Sequence, residues 1–401
     1  MKSSHKFFSL IVLLLMVLSL SAFQMIERNT EPVIEKEPDP VIDINPLTGT
    51  PVANPDLLKL PPIFVPLARY PSAFRPSSGH SQAQWAFEMY VADEESRPVL
   101  MFWGDLPTEP ISRISSAFFG LESLRRQYGG VIIAGGTSKS ILESDIRNLE
   151  LWYGPTFDQL YPELPVSDYQ RILNKWVGLA TPADPNNLKY SFDENAPEGG
   201  QIAETLFVRY ASTNQILWQY DETSGRYLRA QNSVEDPKNL IADVDRANGE
   251  QIGAENLIVL MARHDWVPGF KPELAIFDVD LNYVDSNPAL IFRDGKLYKA
   301  TWTTISEQFE QESGRMRPIR FLDGDGNNFR LKPGKTWVHV VMTGNPYYEV
   351  DSELGSKITF GSGHWKMPYI SFKPGSAEEV MREVEELREL EIHLNEAAKT
   401  K

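Results

Sequence analysis

The chain contains 401 residues, with 39 basic and 55 acidic side chains, a formal net charge of −16, and no cysteine. The absence of cysteine excludes a disulfide framework, thiol catalysis, zinc sites built on thiolates and a lipid-modified N-terminal cysteine. The negative charge disfavours nucleic acid as a partner, because phosphate backbones would be repelled. With 42% hydrophobic and 11% aromatic residues, the length indicates a globular protein of two or three domains.

The N-terminus begins with a short basic stretch followed by an uncharged apolar segment, residues 7–23. This order is typical of a secretory signal, so we predict export. Residues 1–23 are interpreted either as a cleaved signal peptide, with the small residues Ser19 and Ser21 at cleavage spacing, or as a retained membrane anchor, because the segment is near the lower length limit for a spanning helix. We therefore expect an extracytoplasmic protein that is membrane-anchored or secreted.

Residues 24–62 are rich in Pro, Glu and Asp. Such a composition buries little apolar surface and predicts an extended linker. Near its end, the sequence NPLTG from Asn45 to Gly49 predicts an Asx turn instead of a flexible spacer.

Helical and strand patterns alternate over residues 63–195. Apolar residues at spacings of three and four predict a helix over residues 111–128, and a second helix is predicted over residues 167–179. Between them, the β-branched run VIIA at residues 131–134 predicts a buried strand. This succession indicates an α/β layer.

Residues 200–345 alternate polar and apolar side chains with a period of two. The alternating runs are separated by Asp-Gly, Ser-Gly and Pro-Gly turns, which predict a mainly antiparallel sheet. Residues 346–401 form a C-terminal extension, in which residues 376–398 are predicted to be an acidic amphipathic helix that packs on the body or on a partner.

Two glycine-rich turns could bind ions. The turn at Gly135, Gly136 and Thr137 follows a strand and precedes a helix, which is where phosphates bind, but it lacks the phosphate-loop spacing, so a plain strand-to-helix turn is favoured. The sequence DGDGNN at residues 323–328 resembles half of a calcium loop, but Gly334 stands where the bidentate acid is needed, so a hairpin turn is favoured. The six histidines lack metal-ligand spacing, and no metal or cofactor is predicted.

One polar cluster stands out, in the segment RPSSGHSQAQWAFEMYV at residues 75–91. Glu88 lies among aromatic residues, so if it is buried it needs a basic partner. A structural ion pair is favoured over a ligand site. The candidate residues of this cluster and the arginines that could pair with Glu88 are Arg75, Ser78, His80, Ser81, Glu88, Arg97 and Arg113.

The same segment resembles the signature RPxSGxSQAxxxxE of the YerB-like family, bacterial proteins regarded as envelope lipoproteins, whose function is unassigned. The matching residues are Arg75, Pro76, Ser78, Gly79, Ser81, Gln82, Ala83 and Glu88. Segments 45–49, 218–232, 292–302 and 321–341 are similar to further motifs of the family, so the resemblance covers residues 45–343. It implies an extracytoplasmic site and a three-layer α/β sandwich, with a helical or mixed N-terminal half (63–195) and a mainly antiparallel β C-terminal half (200–345).

The chain departs from the family pattern at several positions. Ser115 and Phe118 replace two arginines, Ile133 replaces the histidine of a glycine-rich turn, and a Pro-His-Asn motif has no counterpart near Asn195. If these basic residues form a family site, it is altered here. The missing cysteine also means that lipidation does not carry over, which leaves residues 7–23 as the visible anchor.

These observations favour a non-enzymatic binding or scaffold module of the cell envelope, held at the membrane by the N-terminal segment if it is uncleaved, with a cell-wall or envelope protein partner. The alternative is a hydrolase or transferase acting on cell-wall glycan through Glu88 and a second carboxylate. It requires an open pocket with the two acids about 5 to 10 Å apart. A third hypothesis is a small-molecule binder at the Gly135–Gly136 turn.

Overall fold

The computed structural model describes residues 43–69, 74–92, 95–144, 146–152, 163–185, 188, 190–211, 213–236, 239–267, 276–305, 309–311, 316–343, 348–350 and 363–368. The described residues, from residue 43 onward, belong to one compact unit. The predicted signal or anchor, the linker up to residue 42 and the predicted helix 376–398 lie outside the described residues. Within the described ranges, no helix is both long and apolar enough to cross a membrane.

Strands predominate over helices. The helices are a 3₁₀ helix (Pro55–Lys59), α1 (Leu121–Tyr128), α2 (Lys139–Leu142) and α3 (Val166–Trp176). The strands are β1 (Ile63–Pro66), β2 (Trp85–Ala92), β3 (Glu95–Phe102), β4 (Val131–Ala134), β5 (Leu149–Leu151), β6 (Ser191–Phe192), β7 (Gln201–Ile202), β8 (Thr205–Ala211), β9 (Asn214–Asp221), β10 (Arg226–Asn232), β11 (Leu240–Ala242), β12 (Gly253–Ala254), β13 (Asn256–Trp266), β14 (Phe277–Asp280), β15 (Asn287–Arg293), β16 (Lys296–Thr303), β17 (Arg320–Leu322), β18 (Arg330–Leu331), β19 (Thr336–Met342), β20 (Tyr348–Val350) and β21 (His364–Pro368).

The larger sheet contains 12 strands in the order β17-β16-β15-β13-β19-β2-β3-β1-β4-β5, with β14 paired to β13 and β7 to β16. The sheet is mixed: β2–β3, β13–β15 and β15–β16 are antiparallel, whereas β19 runs parallel to both of its neighbours, β13 and β2. Because β19 comes late in the chain and lies beside β2, the two regions predicted on either side of residue 200 share one sheet.

The smaller sheet contains seven strands in the order β11-β10-β9-β8-β21-β20, with β12 paired to β10. The predicted hairpins β8–β9–β10 in this sheet and β15–β16 in the larger one are antiparallel, as expected. A short parallel pair, β18 with β6, forms separately. The α/β expectation therefore holds at the coarse level, as mixed and antiparallel sheets accompanied by a few short helices.

The large sheet buries both of its faces. On β13, Leu257 and Val259 belong to one hydrophobic cluster and Ile258 and Leu260 to the other, because successive side chains of a strand point to opposite faces. The first cluster also contains residues of the smaller sheet, such as Trp218, and the second contains residues of α1. Burial on both faces explains why the central strands are mostly apolar, with Glu88 on β2 and His339 on β19 as buried polar exceptions.

The first predicted helix is shorter than expected. It was predicted over residues 111–128, but α1 begins at Leu121 after Gly120, whose φ is 89°. Ile111 instead bridges Leu164, and Ile114 bridges Leu67. These apolar residues therefore have a helical spacing but satisfy their backbone by strand-like pairing. The second predicted helix, 167–179, corresponds to α3.

The predicted linker also ends earlier than residue 62. Asn45 and Leu47 are fully buried, and the Asx turn is confirmed because the Leu47 N–H donates to Asn45 Oδ1 at 2.9 Å. Asn45 Nδ2 donates to the Trp103 carbonyl at 2.7 Å, and Trp85 Nε1 donates to the Leu47 carbonyl at 2.6 Å. The NPLTG motif is thus part of the folded body.

Candidate functional site

Glu88, on β2, lies in the buried layer between the two sheets and is 1% exposed. Its carboxylate accepts hydrogen bonds from Ser96 Oγ at 2.9 Å and Trp337 Nε1 at 3.1 Å, and it pairs with Arg229 Nη2 at 3.3 Å. A buried acid with a basic partner was predicted, but the partner comes from β10, not from the neighbourhood of Glu88 in sequence. Arg75, Arg97 and Arg113 make other contacts.

The ion pair extends into a larger charged network. Asp243, just after β11, binds Arg69 Nη2 at 2.5 Å and also forms an ion pair with Arg229. Gln231 Oε1 accepts from both arginines, at 2.8 Å each. Two guanidinium groups thus face two carboxylates in a space from which water is excluded, so the buried charges balance.

Two histidines border this network as neutral rings. Trp218 Nε1 donates to His339 Nε2 at 2.8 Å, and an indole N–H can only donate, so this nitrogen accepts and the proton of His339 is on Nδ1, 3.0 Å from the Tyr210 hydroxyl. His80 Nε2 lies 3.1 Å from Arg69 Nη1 and accepts for the same reason. Burial lowers the pKa of His339 to about 4 and the pKa of His80 well below 6.5.

The charged groups keep their charges at neutral pH. Burial by itself raises the pKa of Glu88, but the neighbouring positive charges, with Arg229 the largest contributor, leave the pKa below its ordinary value. Burial lowers the pKa of Arg229 to about 9 and the pKa of Arg69 to about 10, so both are cations near pH 7. Glu88, Arg229 and Arg69 therefore compensate one another's charge, while the buried Arg229 Nε has no hydrogen-bond partner.

The loop of residues 75–83, which resembles the family signature, is hydrogen-bonded to the smaller sheet and to the turn that follows β11. Asp245, fully buried, accepts from the N–H of Gly79 at 3.1 Å and from the N–H and Oγ of Ser81 at 2.8 Å each. Arg75 Nη1 donates to the Asn232 carbonyl at 2.7 Å. Ser78 turns the other way, and its Oγ donates to the Pro110 carbonyl at 2.7 Å. These residues therefore have structural roles within the fold.

Three other candidates, Arg97, Gly135 and Gly136, contact a different part of the chain, the segment of residues 115–117. Arg97 pairs with Glu95 at 2.5 Å and donates to the Ser116 carbonyl at 3.1 Å. The N–H of Gly135 donates to the Ser115 carbonyl, and the Gly136 carbonyl accepts from Ala117, both at 2.8 Å. This is the contact of a strand-to-helix turn, as favoured from the sequence, and it uses the Gly135 N–H that an anion would need.

Two further predicted residues lie apart from these sets. Arg113 has a positive φ of 64° and places its guanidinium over the Phe74 ring, 6.0 Å from the centroid. Thr137 Oγ1 donates to the Ser138 carbonyl at 3.4 Å. The structure thus brings His80 and Glu88 into one network, brings Arg97 near the glycine turn, and leaves Arg113 and Thr137 separate.

Two open clefts are formed by described residues, and none of the predicted site residues lines either of them. A cleft of about 570 Å³ lies where β16 approaches residues 197–201 and the turn after β17, and a second of about 260 Å³ lies on β9 and β10. The DGDGNN sequence forms a turn in which Asp323 Oδ1 accepts from the N–H groups of Asp325 and Asn327. Among the described residues, no group of three or more His, Asp or Glu side chains could hold a metal ion.

Sequence reasoning missed the residues that complete the network, Arg69, Arg229, Gln231 and Asp243. A signal was present in part: Arg229 and Gln231 occupy alternate positions of the strand RYLRAQN, and a period of two places both on the same face of the sheet. A pair of polar residues at inward positions of a strand predicts a buried polar network, although it does not identify the partner strand.

Comparison with known proteins gives two matches. Residues 206–338 match the model of the C-terminal domain of DUF3048, a protein of unknown function. The fold is similar to the crystal structure of the YerB protein from Bacillus subtilis, with a TM-score of 0.57 and 21% sequence identity over 75% of this chain and 96% of that chain. No curated protein matches the chain. The chain therefore has a fold similar to that of YerB, and its residues 206–338 resemble the C-terminal domain of a family of unknown function.

Proposed function

We propose that the protein is an extracytoplasmic, envelope-associated binding or scaffold module without enzymatic activity. This proposal rests on the burial of the Glu88 network between the sheets, where each charged side chain is paired with another charged side chain of the protein. The apolar segment 7–23 would hold the protein at the membrane if it is retained, and a cell-wall component or an envelope protein would be the partner. The net charge of −16 supports a role without nucleic acid.

The alternative of a glycan hydrolase or transferase is not supported by the geometry around Glu88. A catalytic carboxylate must reach its substrate within hydrogen-bond distance, but Glu88 is 1% exposed and bound by Ser96, Trp337 and Arg229. To reach a substrate, Glu88 would have to leave these contacts, which would destabilise the fold.

The three-layer arrangement implied by the resemblance is kept as part of the proposal. It is supported by the two hydrophobic clusters, of which one contains residues of the smaller sheet and the other contains residues of α1. In this arrangement the layers form a rigid body, and binding would involve the outer surfaces of the layers.

The test uses the full chain, purified in detergent and mixed with purified cell-wall sacculi. We expect the protein to sediment with the sacculi without releasing soluble glycan fragments, and we expect the same of the variant Glu88→Gln if it folds. Glu143→Gln is the matched control, because Glu143 lies on the surface with a side chain that is 64% exposed. Release of fragments by the wild type and the Glu143 variant, but not by a folded Glu88→Gln variant, would refute the proposal.

A further inference from the structure

The larger of the two clefts described above lies at one edge of the large sheet. Its volume is about 570 Å³, within the range of small-molecule sites in proteins, about 300 to 1,000 Å³. β7 pairs with β16 at Lys296 and Leu297, and β17 pairs with the same edge of β16 from Thr301 onward. The cleft lies between these two short strands, where Tyr298 and Lys299 line it.

The walls of this cleft are held in place by contacts within the chain. On one wall, the Tyr298 hydroxyl donates to the Pro197 carbonyl at 2.9 Å. Gly200, with a φ of 83°, lies so close to the Tyr298 ring that an added Cβ would come within 2.8 Å of it. On the other wall, the turn after β17 is closed by the Asp323 N–H, which donates to the Asn327 carbonyl at 2.9 Å. Walls that are fixed before binding lower the entropic cost of taking up a ligand.

The floor of the cleft is apolar. Tyr298 and Phe329 line it and pack edge to face, with ring centroids 5.4 Å apart. Both belong to one of the two hydrophobic clusters, and they are 7% and 6% exposed. The core thus provides a small, rigid aromatic surface on which the C–H groups of a ligand could rest.

Polar side chains surround this floor, and they are Glu198, Gln201, Asp323, Asp325 and Asn328. Within the described ranges, the side chains of Gln201, Asp325 and Asn328 make no hydrogen bond to the protein. Asp323 uses Oδ1 to accept from two N–H groups of its own turn. Carboxylates can accept hydrogen bonds, and side-chain amides can both donate and accept them. The cleft therefore offers several hydrogen-bonding groups that the fold itself does not use.

The charges of the cleft restrict the class of ligand. Three carboxylates line it against Lys299 and Arg330, and Arg330 is already paired with Asp193 at 2.9 Å. This balance disfavours phosphate and other anions. A fully apolar ligand is also disfavoured, because it would remove water from the polar side chains without replacing their hydrogen bonds. The class that fits is neutral and rich in hydroxyl and amide groups.

We propose that this cleft binds a segment of a neutral glycan that contains N-acetylated sugars. Asp323 and Asp325 would accept hydrogen bonds from sugar hydroxyls, and a carboxylate can accept from two adjacent hydroxyls at once. Gln201 and Asn328 would donate to the carbonyls of acetamido groups, while the aromatic floor contacts the sugar C–H groups. The choice of a cell-wall glycan as the source rests on the proposed function.

The test is a calorimetric titration of a soluble tetramer of N-acetylglucosamine into the full chain, in a detergent without a sugar headgroup. We expect saturable binding, and we expect Asp325→Ala and Gln201→Ala each to weaken it about fivefold or more. Both residues are exposed, so both variants should unfold at the temperature of the wild type. Gln219→Ala is the matched control, because Gln219 is an exposed glutamine on β9 that lines the second cleft. Its affinity should equal that of the wild type.

The inference would be overturned if the tetramer did not bind the wild type, or if both cleft variants bound it as tightly. A loss confined to Gln219→Ala would assign the glycan to the second cleft and would also overturn it. A trilysine peptide that displaced the tetramer and depended on Asp325 in the same way would show a site for cations instead.

Sedimentation with cell-wall sacculi separates this inference from the proposed function. If the wild type and both cleft variants sediment equally, wall binding stands and the assignment of the cleft fails. If the wild type binds the tetramer through the cleft but does not sediment with sacculi, the cleft binds glycan and the cell wall is not its source.

Discussion

The arginines between the two sheets are fully buried and bound by carboxylates of the chain, whereas the arginines beside β17 are less deeply buried. Arg69 and Arg229 face Glu88 and Asp243 across the sheet interface. Arg317 and Arg320 have no acid bound to them among the described residues. The contrast indicates that the first set contributes more to the stability and alignment of the sheets.

The largest expected effect is the loss of an acid from the sealed network. Asp243→Asn leaves Arg69 and Arg229 close together without their shared carboxylate, and it should lower the free energy of unfolding by about 3 to 5 kcal/mol. The measurement is urea unfolding followed by tryptophan fluorescence. Asp56→Asn is the control, because Asp56 pairs with Lys59 on the surface, with a side chain that is 79% exposed, and it should cause no measurable loss. Equal effects of the two substitutions would contradict the role of the network.

A second expected effect is a loss of folding stability at acid pH, caused by a histidine at the sheet interface. The pKa of His339 is about 4 in the folded chain against an ordinary value of 6.5, so between these pH values the unfolded chain binds a proton that the folded chain does not. Stability is therefore fully present above pH 6.5 and falls as the pH drops towards 4, by about 3 kcal/mol for this residue. Unfolding free energies measured from pH 7.5 to 4 check this, and His339→Gln should show a shallower slope. A slope identical to that of the wild type would exclude His339 as the source.

A third effect concerns the signature loop. Gly79 has a φ of 109°, and an added Cβ would approach Ile111 at 3.0 Å and Leu100 at 3.1 Å. Gly79→Ala should therefore destabilise the fold by about 1 to 3 kcal/mol. Gly324→Ala, in a turn where nothing lies within 4 Å of an added Cβ, should change stability by less than about 0.5 kcal/mol. Thermal unfolding of both variants measures this difference. Similar losses of stability in the two variants would show that the backbone geometry at Gly79 does not contribute to the stability of the fold.

The smallest effect is expected at Arg317, just before β17. Arg317→Gln should change the free energy of unfolding by less than about 1 kcal/mol, because no carboxylate among the described residues forms an ion pair with Arg317 and the charge of Arg320 opposes its own. Urea unfolding in the same buffer as for Asp243→Asn allows a direct comparison. A loss as large as that of Asp243→Asn would remove the contrast between the two regions.

Several elements of the fold could be predicted from local patterns. The strand VIIA is β4, the hairpins around residues 221–226 and 293–296 are present, and the Asx turn at Asn45 is confirmed. These features depend on side-chain period and turn residues, which act over a few positions. The helix over residues 111–128 was predicted too long because apolar spacing alone does not distinguish a helix from an irregular segment that pairs with strands.

The candidate site was predictable only in part. The aromatic neighbours of Glu88 indicated that it would need a basic partner if it were buried, but the partner, Arg229, is 141 residues away in sequence. Which arginine approaches Glu88 depends on the packing of β10 against the large sheet, and no local pattern specifies that contact. The same holds for Asp243, whose sequence neighbours give no sign of the two arginines that it binds.

Composition and short-range patterns are sufficient to establish the absence of thiol chemistry, the acidic character, the apolar N-terminal segment and the antiparallel hairpins. The insertion of β19 between β13 and β2 and the burial of the Glu88 network are decided by the tertiary structure. The physical reason is that burial and charge compensation are properties of long-range contacts: a carboxylate or guanidinium acquires its environment from strands that may be far away in the chain, and that environment decides whether it stabilises the core or is free to bind a ligand.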